Sequence, residues 1–251
     1  MKKVTIFGVQ IDNTTLEEAR HLMKEYLKAD ELRTICTPNT EIVMAAKKDP
    51  KLVELINEFD FIIPDGIGLI YGSRIRKKPL KERVTGFDLS MELLKIANEE
   101  GYSLFLLGGK EGVAKKASQN IVKVYPNIRI AGVHNGYFKG SHNGYKGHEE
   151  EEKIIDMINS SKPDIIFIGL GFPRQEIWIR ENKNRIHGKV IIGNGGTMDV
   201  IAGKSKRAPE IFQKLGLEWF YRLMKEPSRI KRQIALPKFV IAILLNKEAV
   251  K

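Results

Sequence analysis

Two hydrophobic periods alternate along the chain. "YSLFLLGG", "DIIFIGLG" and "KVIIGNGG" are continuous apolar runs of strand length. Such runs fit strands buried on both faces of a parallel sheet. Between the strands lie stretches whose apolar residues recur every three or four positions, such as "TTLEEARHLMKEYLKA", "GFDLSMELLKIANEEG" and "KEGVAKKASQNIVKVYP". That spacing predicts helices burying one face. Thr14 or Thr15 is the expected cap of the first, and Gly101 closes the second. Pro50 interrupts a longer helical stretch, "TEIVMAAKKDPKLVELINEF". "KKVTIFGVQID", "LRTICTPN", "DFIIPDG" and "IRIAGVHNGYF" read as further strands. "SHNGYKGHEEEEK" reads as a solvated loop.

This alternation predicts an α/β fold: a Rossmann-like, mainly parallel sheet with flanking helices, plus a C-terminal helical appendage. In such sheets, ligands bind outside the carboxyl ends of the strands. The segments there are Thr37-Pro38-Asn39, Pro64-Asp65-Gly66, Gly108-Gly109, His134-Asn135-Gly136-Tyr137, Gly169-Leu170-Gly171 and Gly193-Asn194-Gly195-Gly196-Thr197. With the strands parallel, these loops meet on one rim. Its glycines would let phosphates approach the backbone closely.

Charge changes the picture at one end. The net charge is +11, and residues Lys204 to Lys251 hold 12 Lys/Arg against 4 Glu. The expected division is therefore an α/β catalytic body over 1–203 and a basic amphipathic appendage over 204–251. A basic tail on a nearly neutral body implies an anionic partner. The lone cysteine, Cys36, is flanked by apolar residues and reads as core rather than nucleophile. With no disulfide framework, no secretory leader and no apolar run of ~20 residues, the reading is cytosolic.

Familiar cofactor and metal motifs are missing. "GLGFPR" places Arg174 where a dinucleotide fingerprint needs glycine. There is no P-loop, no D-x-D, no H-E-x-x-H and no paired C-x-x-C, so no metal and no cofactor are expected. Asp65 precedes a glycine after a strand. From the residues alone it is either a turn cap or a carboxylate held on the rim as a general base.

"TPNTEIVMAA", "PDGIGLI", "ERVTGFDL", "FLLGG", "NGYF", "GLGFPRQEIWI", "GGTMDVIAGKSKRAP" and "LGLEWFYRLMKEPSRIKRQ" occur in this order over nearly the whole chain. In that order they resemble the WecG/TagA/CpsF glycosyltransferase family, and the last block resembles especially its N-acetylmannosamine-transferring members. Asn194 departs from the pattern, standing where an apolar residue is expected. The resemblance implies transfer of N-acetylmannosamine from a UDP-sugar donor to the 4-hydroxyl of N-acetylglucosamine on undecaprenyl diphosphate, with inversion. The product would be the linkage unit of wall teichoic acid or a related surface polymer. It further implies Asp65 as base, with Thr37 and Asn39 beside it and Thr40 as the helix cap. Arg83 and Gln175 would hold sugar or phosphate. Gly108, Gly109, Asn135, Tyr137, Gly195, Gly196 and Thr197 would line the donor site. Without a metal, Arg222, Arg229 and Arg232 of the tail would supply charge to the leaving diphosphate.

The apolar run over residues 237–245 is too short to span a bilayer. Beside its Lys and Arg neighbours it reads as an interfacial element, placing the protein peripherally on the inner face of the cell membrane. Packing of that helix on the body or on a second subunit of a homo-oligomer is the alternative. Two other readings remain: a related transferase using another UDP-sugar, and a nucleic-acid-binding protein with a basic arm. The tail's apolar content and the absence of a nucleic-acid motif favour the membrane over nucleic acid.

Overall fold

The computed structural model describes residues 2–227, 230 and 234–251. Six parallel strands form the main sheet: β3 (Arg33–Cys36), β4 (Phe61–Ile62), β5 (Ser103–Gly108), β6 (Arg129–His134), β7 (Ile165–Gly169) and β8 (Val190–Gly193). Their spatial order is β4-β3-β8-β7-β5-β6. The predicted Rossmann-like architecture is the one observed.

Successive strand residues feed opposite layers, as a period of two requires. Cys36, Ile62, Phe105, Leu107, Ile166, Ile168 and Ile191 belong to one core cluster. Their neighbours Ile35, Phe61, Leu104, Leu106, Ile165, Phe167, Val190 and Ile192 belong to the other. The second layer is covered by α1 (Leu16–Lys28), α5 (Gly86–Glu100), α6 (Val113–Val124) and α9 (Thr197–Ile201). The first is covered by α2 (Thr40–Ala46), α3 (Pro50–Asn57), α4 (Ile67–Ile75), α7 (Glu149–Ser161), α8 (Arg174–Asn182) and a terminal helix.

Local signals acted where expected. Thr15, rather than Thr14, caps α1 in a capping box with Glu18. Gly101 closes α5 at φ 75°. Pro50 begins α3 behind its cap, Asp49.

Four expectations are corrected. The first predicted strand is a hairpin of β1 (Lys3–Ile6) and β2 (Val9–Asp12). Phe7 and Gly8 have φ of 48° and 89°, which turns the chain back on itself. Thr40 does not cap α2; Asn39 does, accepting from the Ile42 N–H at 3.0 Å. The "EEEE" run opens α7, and Glu151 within it is buried. Its carboxylate accepts from the Ser141 N–H and hydroxyl and from Asn182. Burial raises the Glu151 pKa, but those donors outweigh it and hold the carboxyl below its ordinary value. Finally, α4 has no counterpart in the sequence reading. Its Gly68 and Gly72 weaken helix propensity and admit close neighbours instead. A Cβ on Gly72 would lie 2.7 Å from the Phe239 ring.

The appendage includes α10 (Glu210–Lys214), α11 (Glu218–Lys225) and the terminal helix α12 (Ala235–Leu245). Phe239 and Ile243 of α12 are fully buried in the first core layer. Phe239 meets Phe7 edge-on at 5.8 Å. The chain end then pairs with β1, where Lys251 and Thr5 exchange hydrogen bonds at 2.9 Å. Arg76 donates to the carbonyls of Ile243 and Leu244, closing the end of α12. No helix among the described residues is long and apolar enough to cross a membrane.

Candidate active site

The carboxyl ends of β3, β4 and β8 converge as predicted. The Thr37 hydroxyl donates to the Gly193 carbonyl at 2.9 Å, joining the ends of β3 and β8. The Asp65 N–H donates to the Pro38 carbonyl at 3.3 Å, joining β4 to the same loop. Gly66 makes the approach tight: a Cβ there would lie 2.7 Å from the Thr40 nitrogen and 3.1 Å from Asn39 Cα. Asp65, Thr37 and Asn39 therefore share one corner of the rim.

Arg83 holds that corner from the α4–α5 connection. Its Nε donates to the Asp65 carbonyl at 2.8 Å, and its guanidinium pairs with Glu218 of α11. Arg207 completes the join. It pairs with Asp88 at 2.7 Å, reaches Glu218 at 3.5 Å and lies 4.5 Å over the Phe87 ring. Burial opposes the Arg207 charge, but Asp88 and Glu218 hold its pKa above the ordinary value. Asp88 in turn accepts from the Thr85 hydroxyl at 2.7 Å at the start of α5. Four alternating charges thus tie the tail to the Asp65 loop.

Beside this network lies a cavity of about 500 Å³. Ile67, Ile70 and Leu215 give it apolar walls, and Arg74, Lys81 and Arg207 give it positive charge. One side is body and the other is appendage, so the tail forms one wall of this cavity. The tail arginines expected at the site are Arg222, Arg229 and Arg232. Arg222 lies in α11, and its side chain is outside the described part of the structure, as are Arg229 and Arg232 entirely. Arg207, Glu218 and Asp88 were missed. The "GKSKRAP" block that contains Arg207 was their available signal.

The other predicted residues extend along the rim. Gly108 and Gly109, with φ of 145° and 69°, turn the chain after β5. The Gly109 N–H donates to Gly169 at 3.0 Å, and its carbonyl accepts from Gly136 at 2.9 Å. A Cβ on Gly108 would lie 2.5 Å from the Gly169 oxygen. The floor here is backbone against backbone. Gly195 and Gly196 continue it after β8, and Thr197 opens α9. Asn194 has a clear task despite its apolar surroundings: its Nδ2 donates to Ser90 of α5 at 3.0 Å.

Asn135 and Tyr137 stand apart from Asp65. They follow the edge strand β6, whereas Asp65 follows the opposite edge β4. Five strand intervals at ~4.8 Å separate the two ends by roughly 24 Å. Asn135 binds Glu111 at 2.6 Å, while Tyr137 is 72% exposed. A second cavity of about 260 Å³, lined by Tyr137, Phe138, His142 and Arg174, marks that end.

Gln175 lies between the two ends, buried under the rim beside Gly193 and Gly195. It donates to Glu176 at 2.9 Å. Burial pushes the Glu176 carboxyl up to about 7. Burial and the Glu176 charge push the Cys36 thiol well above its ordinary range, which agrees with a core role. Among the described residues, no group of three His, Cys, Asp or Glu could hold a metal ion.

The sequence matches the glycosyl transferase family WecG/TagA/CpsF over residues 4–250. Proteins of Staphylococcus aureus strains MRSA252 and MW2 are each 38% identical to it over 251 residues, covering 99% of this chain and 95% of theirs. Both are named N-acetylglucosaminyldiphosphoundecaprenol N-acetyl-beta-D-mannosaminyltransferase.

Proposed function

Because the chain belongs to the WecG/TagA/CpsF family of glycosyltransferases, we propose that it transfers N-acetylmannosamine from UDP to N-acetylglucosamine on undecaprenyl diphosphate. The acceptor is the 4-hydroxyl, and the anomeric centre inverts. The observation that carries this reading is the corner where Asp65 joins the Thr37–Asn39 loop, together with Arg83, which holds the Asp65 carbonyl and also lines a basic, apolar-walled cavity closed by the tail.

The Asp65 carboxylate takes the proton from the acceptor 4-hydroxyl. That oxygen forms its bond to the donor's anomeric carbon as the bond to the diphosphate oxygen breaks on the opposite face. UDP leaves with the bonding pair. Catalysis then needs charge where the diphosphate departs. The glycine backbone after β5, β7 and β8 suits the donor diphosphate, because amides can approach it without side chains intervening. The cavity under the tail suits the acceptor: Arg74, Lys81 and Arg207 face its diphosphate, and Ile67, Ile70 and Leu215 the start of its lipid.

The tail's outer face fits a membrane surface. Ile211, Leu215, Phe220, Met224, Ile241, Leu244 and Leu245 are exposed among basic residues. Such a face lies in the interface of an anionic leaflet rather than across it. This exposed face supports reading the enzyme as peripheral on the cytoplasmic side, where a lipid-diphosphate acceptor would meet it.

The deciding experiment incubates the protein with UDP-N-acetylmannosamine and a lipid-diphosphate N-acetylglucosamine analogue, without added metal. UDP and a β-1,4 disaccharide are expected. An α-linked product would overturn inversion. A strict need for added Mg²⁺ or Mn²⁺ would overturn charge supplied by the protein alone. Turnover with another UDP-sugar and none with this donor would overturn the sugar.

A further inference from the structure

The first turn of α8 buries a polar pair that the transfer step above does not use. Glu176 is 1% exposed and Gln175 is 4% exposed. Gln175 Nε2 donates to Glu176 Oε1, while Gln175 Oε1 and Glu176 Oε2 have no hydrogen-bond partner. Unpaired polar atoms at such depth are costly, so each invites an explanation. The amide abuts the rim. A Cβ on Gly193 would lie 2.8 Å from Gln175 Nε2, and one on Gly195 would lie 3.5 Å from its Oε1.

The two ends of an amide differ, and so do the two forms of a carboxyl. A carboxylate only accepts, whereas a carboxylic acid also donates one O–H. With Glu176 ionised, the Gln175 NH₂ must turn toward it, and the amide oxygen is left for the rim. With Glu176 protonated, its O–H can donate to Gln175 Oε1. The amide then turns over and offers NH₂ to the rim. We propose that Glu176 is a positioning residue whose proton decides which end of the Gln175 amide meets the ligand, so that binding a donor phosphate takes up a proton. The ligand half of this inference rests on the UDP-sugar reading above; the amide switch does not.

The surroundings suit a switch near neutrality. Burial pushes Glu176 up to about 7, only partly offset by the Gln175 amide. From β3 it faces the Cys36 thiol, whose own pKa lies far higher. The 3-10 turn Ser141–Asn143 packs on α8 and brings His142, which burial holds below its ordinary value. From α3 come Lys51 and Glu54, both exposed, and β8 carries no titratable side chain. On α8 itself lie Arg174 and the Arg180–Glu181 pair. An amide oxygen facing a phosphate repels it, and an amide NH₂ binds it. Phosphate binding therefore favours protonated Glu176, and by reciprocity a lower pH favours binding.

The switch is read without ligand by NMR on the full chain. The Gln175 side-chain amide resonances, assigned by their loss in Gln175→Ala, should move with a midpoint near pH ~7 in the wild type. They should stay flat in Glu176→Gln, which cannot ionise. A flat wild type, or the same midpoint in the variant, overturns the switch. Coupling is read by calorimetry with UDP-N-acetylmannosamine in buffers of different ionisation enthalpy. This probe lacks the terminal phosphate whose second pKa of about 6 would confuse the result. The wild type should take up a substantial fraction of one proton at about pH 7.5, and Glu176→Gln none. Equal uptake by both overturns the coupling. Should Glu176→Gln not fold, Gln175→Ala takes its place and should likewise abolish uptake. No binding of the UDP-sugar at any pH would overturn the donor reading together with the coupling, while the NMR midpoint still judges the switch alone.

Discussion

The two ends of the rim are built from different materials. After β5, β6 and β7 the surface is glycine backbone, with Gly108, Gly109, Gly136 and Gly169 in mutual contact. After β3 and β4 it is side chains, with Arg83, Asp88, Arg207 and Glu218 tied into one network that also holds the Asp65 carbonyl. Glycine backbone gives a fixed, neutral floor without side chains, suited to a ligand that must be held the same way each time. Side chains give carboxylates and cations, suited on the proposed reading to the acceptor and its proton. Among the described residues, the tail's charged side chains Arg207 and Glu218 join the second end, so donor binding and transfer should be separable by mutation.

Asp65→Asn should break the comparison hardest. A positioned general base contributes ~10²–10⁴-fold, so turnover should fall by that order while UDP-sugar binding stays within a few-fold of wild type. A variant that turns over nearly normally would move the chemistry away from the β4 corner. A variant that loses donor binding as well would mean that the two ends are not separate.

Phe239→Ala follows. Emptying a fully buried phenylalanine site typically costs about 3–5 kcal/mol, and Phe239 packs against Gly72 and Phe7 of the body. The melting transition should shift down as one unit, because α12 shares the body's core. A tail that melts alone and leaves the body unchanged would instead make residue 203 a true boundary between independent units.

How much of this was legible follows from distance along the chain. The buried strands could be read because a strand covered on both faces writes an unbroken apolar run. Asp65, Thr37 and Asn39 fall next to strand ends that the same runs located. α4 was illegible because Gly68 and Gly72 answer to Leu236 and Phe239, some 170 positions away. Glu151 looked solvated because four glutamates in a row give no sign which one turns inward onto Ser141 and Asn182. Arg207 was missed for a related reason. A tail's charge says that an anion is near, whereas only the fold pairs Arg207 with Asp88.

Between the two ends, Glu176 makes a thermodynamic prediction. Its pKa is raised in the fold, from 4.5 to about 7. Between those values the folded state binds more protons than the unfolded, so stability falls as pH rises through that window and is level above it. About 2.5 pKa units at 1.36 kcal/mol each make the loss roughly 3 kcal/mol. Denaturant titrations at about pH 5 and pH 8 should show this fall in the wild type, and a smaller one in Glu176→Gln. Equal pH dependence in both would remove Glu176 as its source.

The smallest expected effect sharpens the comparison most, because it changes only the glycine backbone after β8. Gly195 is not held at positive φ, and an added Cβ would meet Gln175 Oε1 at 3.5 Å and Gly171 Cα at 3.6 Å, ordinary contacts. Gly195→Ala should therefore fold with little change in stability. Gly108→Ala offers no such clean test, because its Cβ would strike the Gly169 backbone. What Gly195→Ala alters is the approach of a ligand to the rim. If the donor diphosphate lies against this backbone, a methyl group in its path should raise the donor KM on the order of tenfold, equivalent to about 1.4 kcal/mol, with kcat nearly unchanged. The acceptor KM should not move, since Gly195 does not line the cavity under the tail. A change in acceptor KM alone would exchange the two ends, placing the lipid diphosphate on the glycine floor and the nucleotide under the tail.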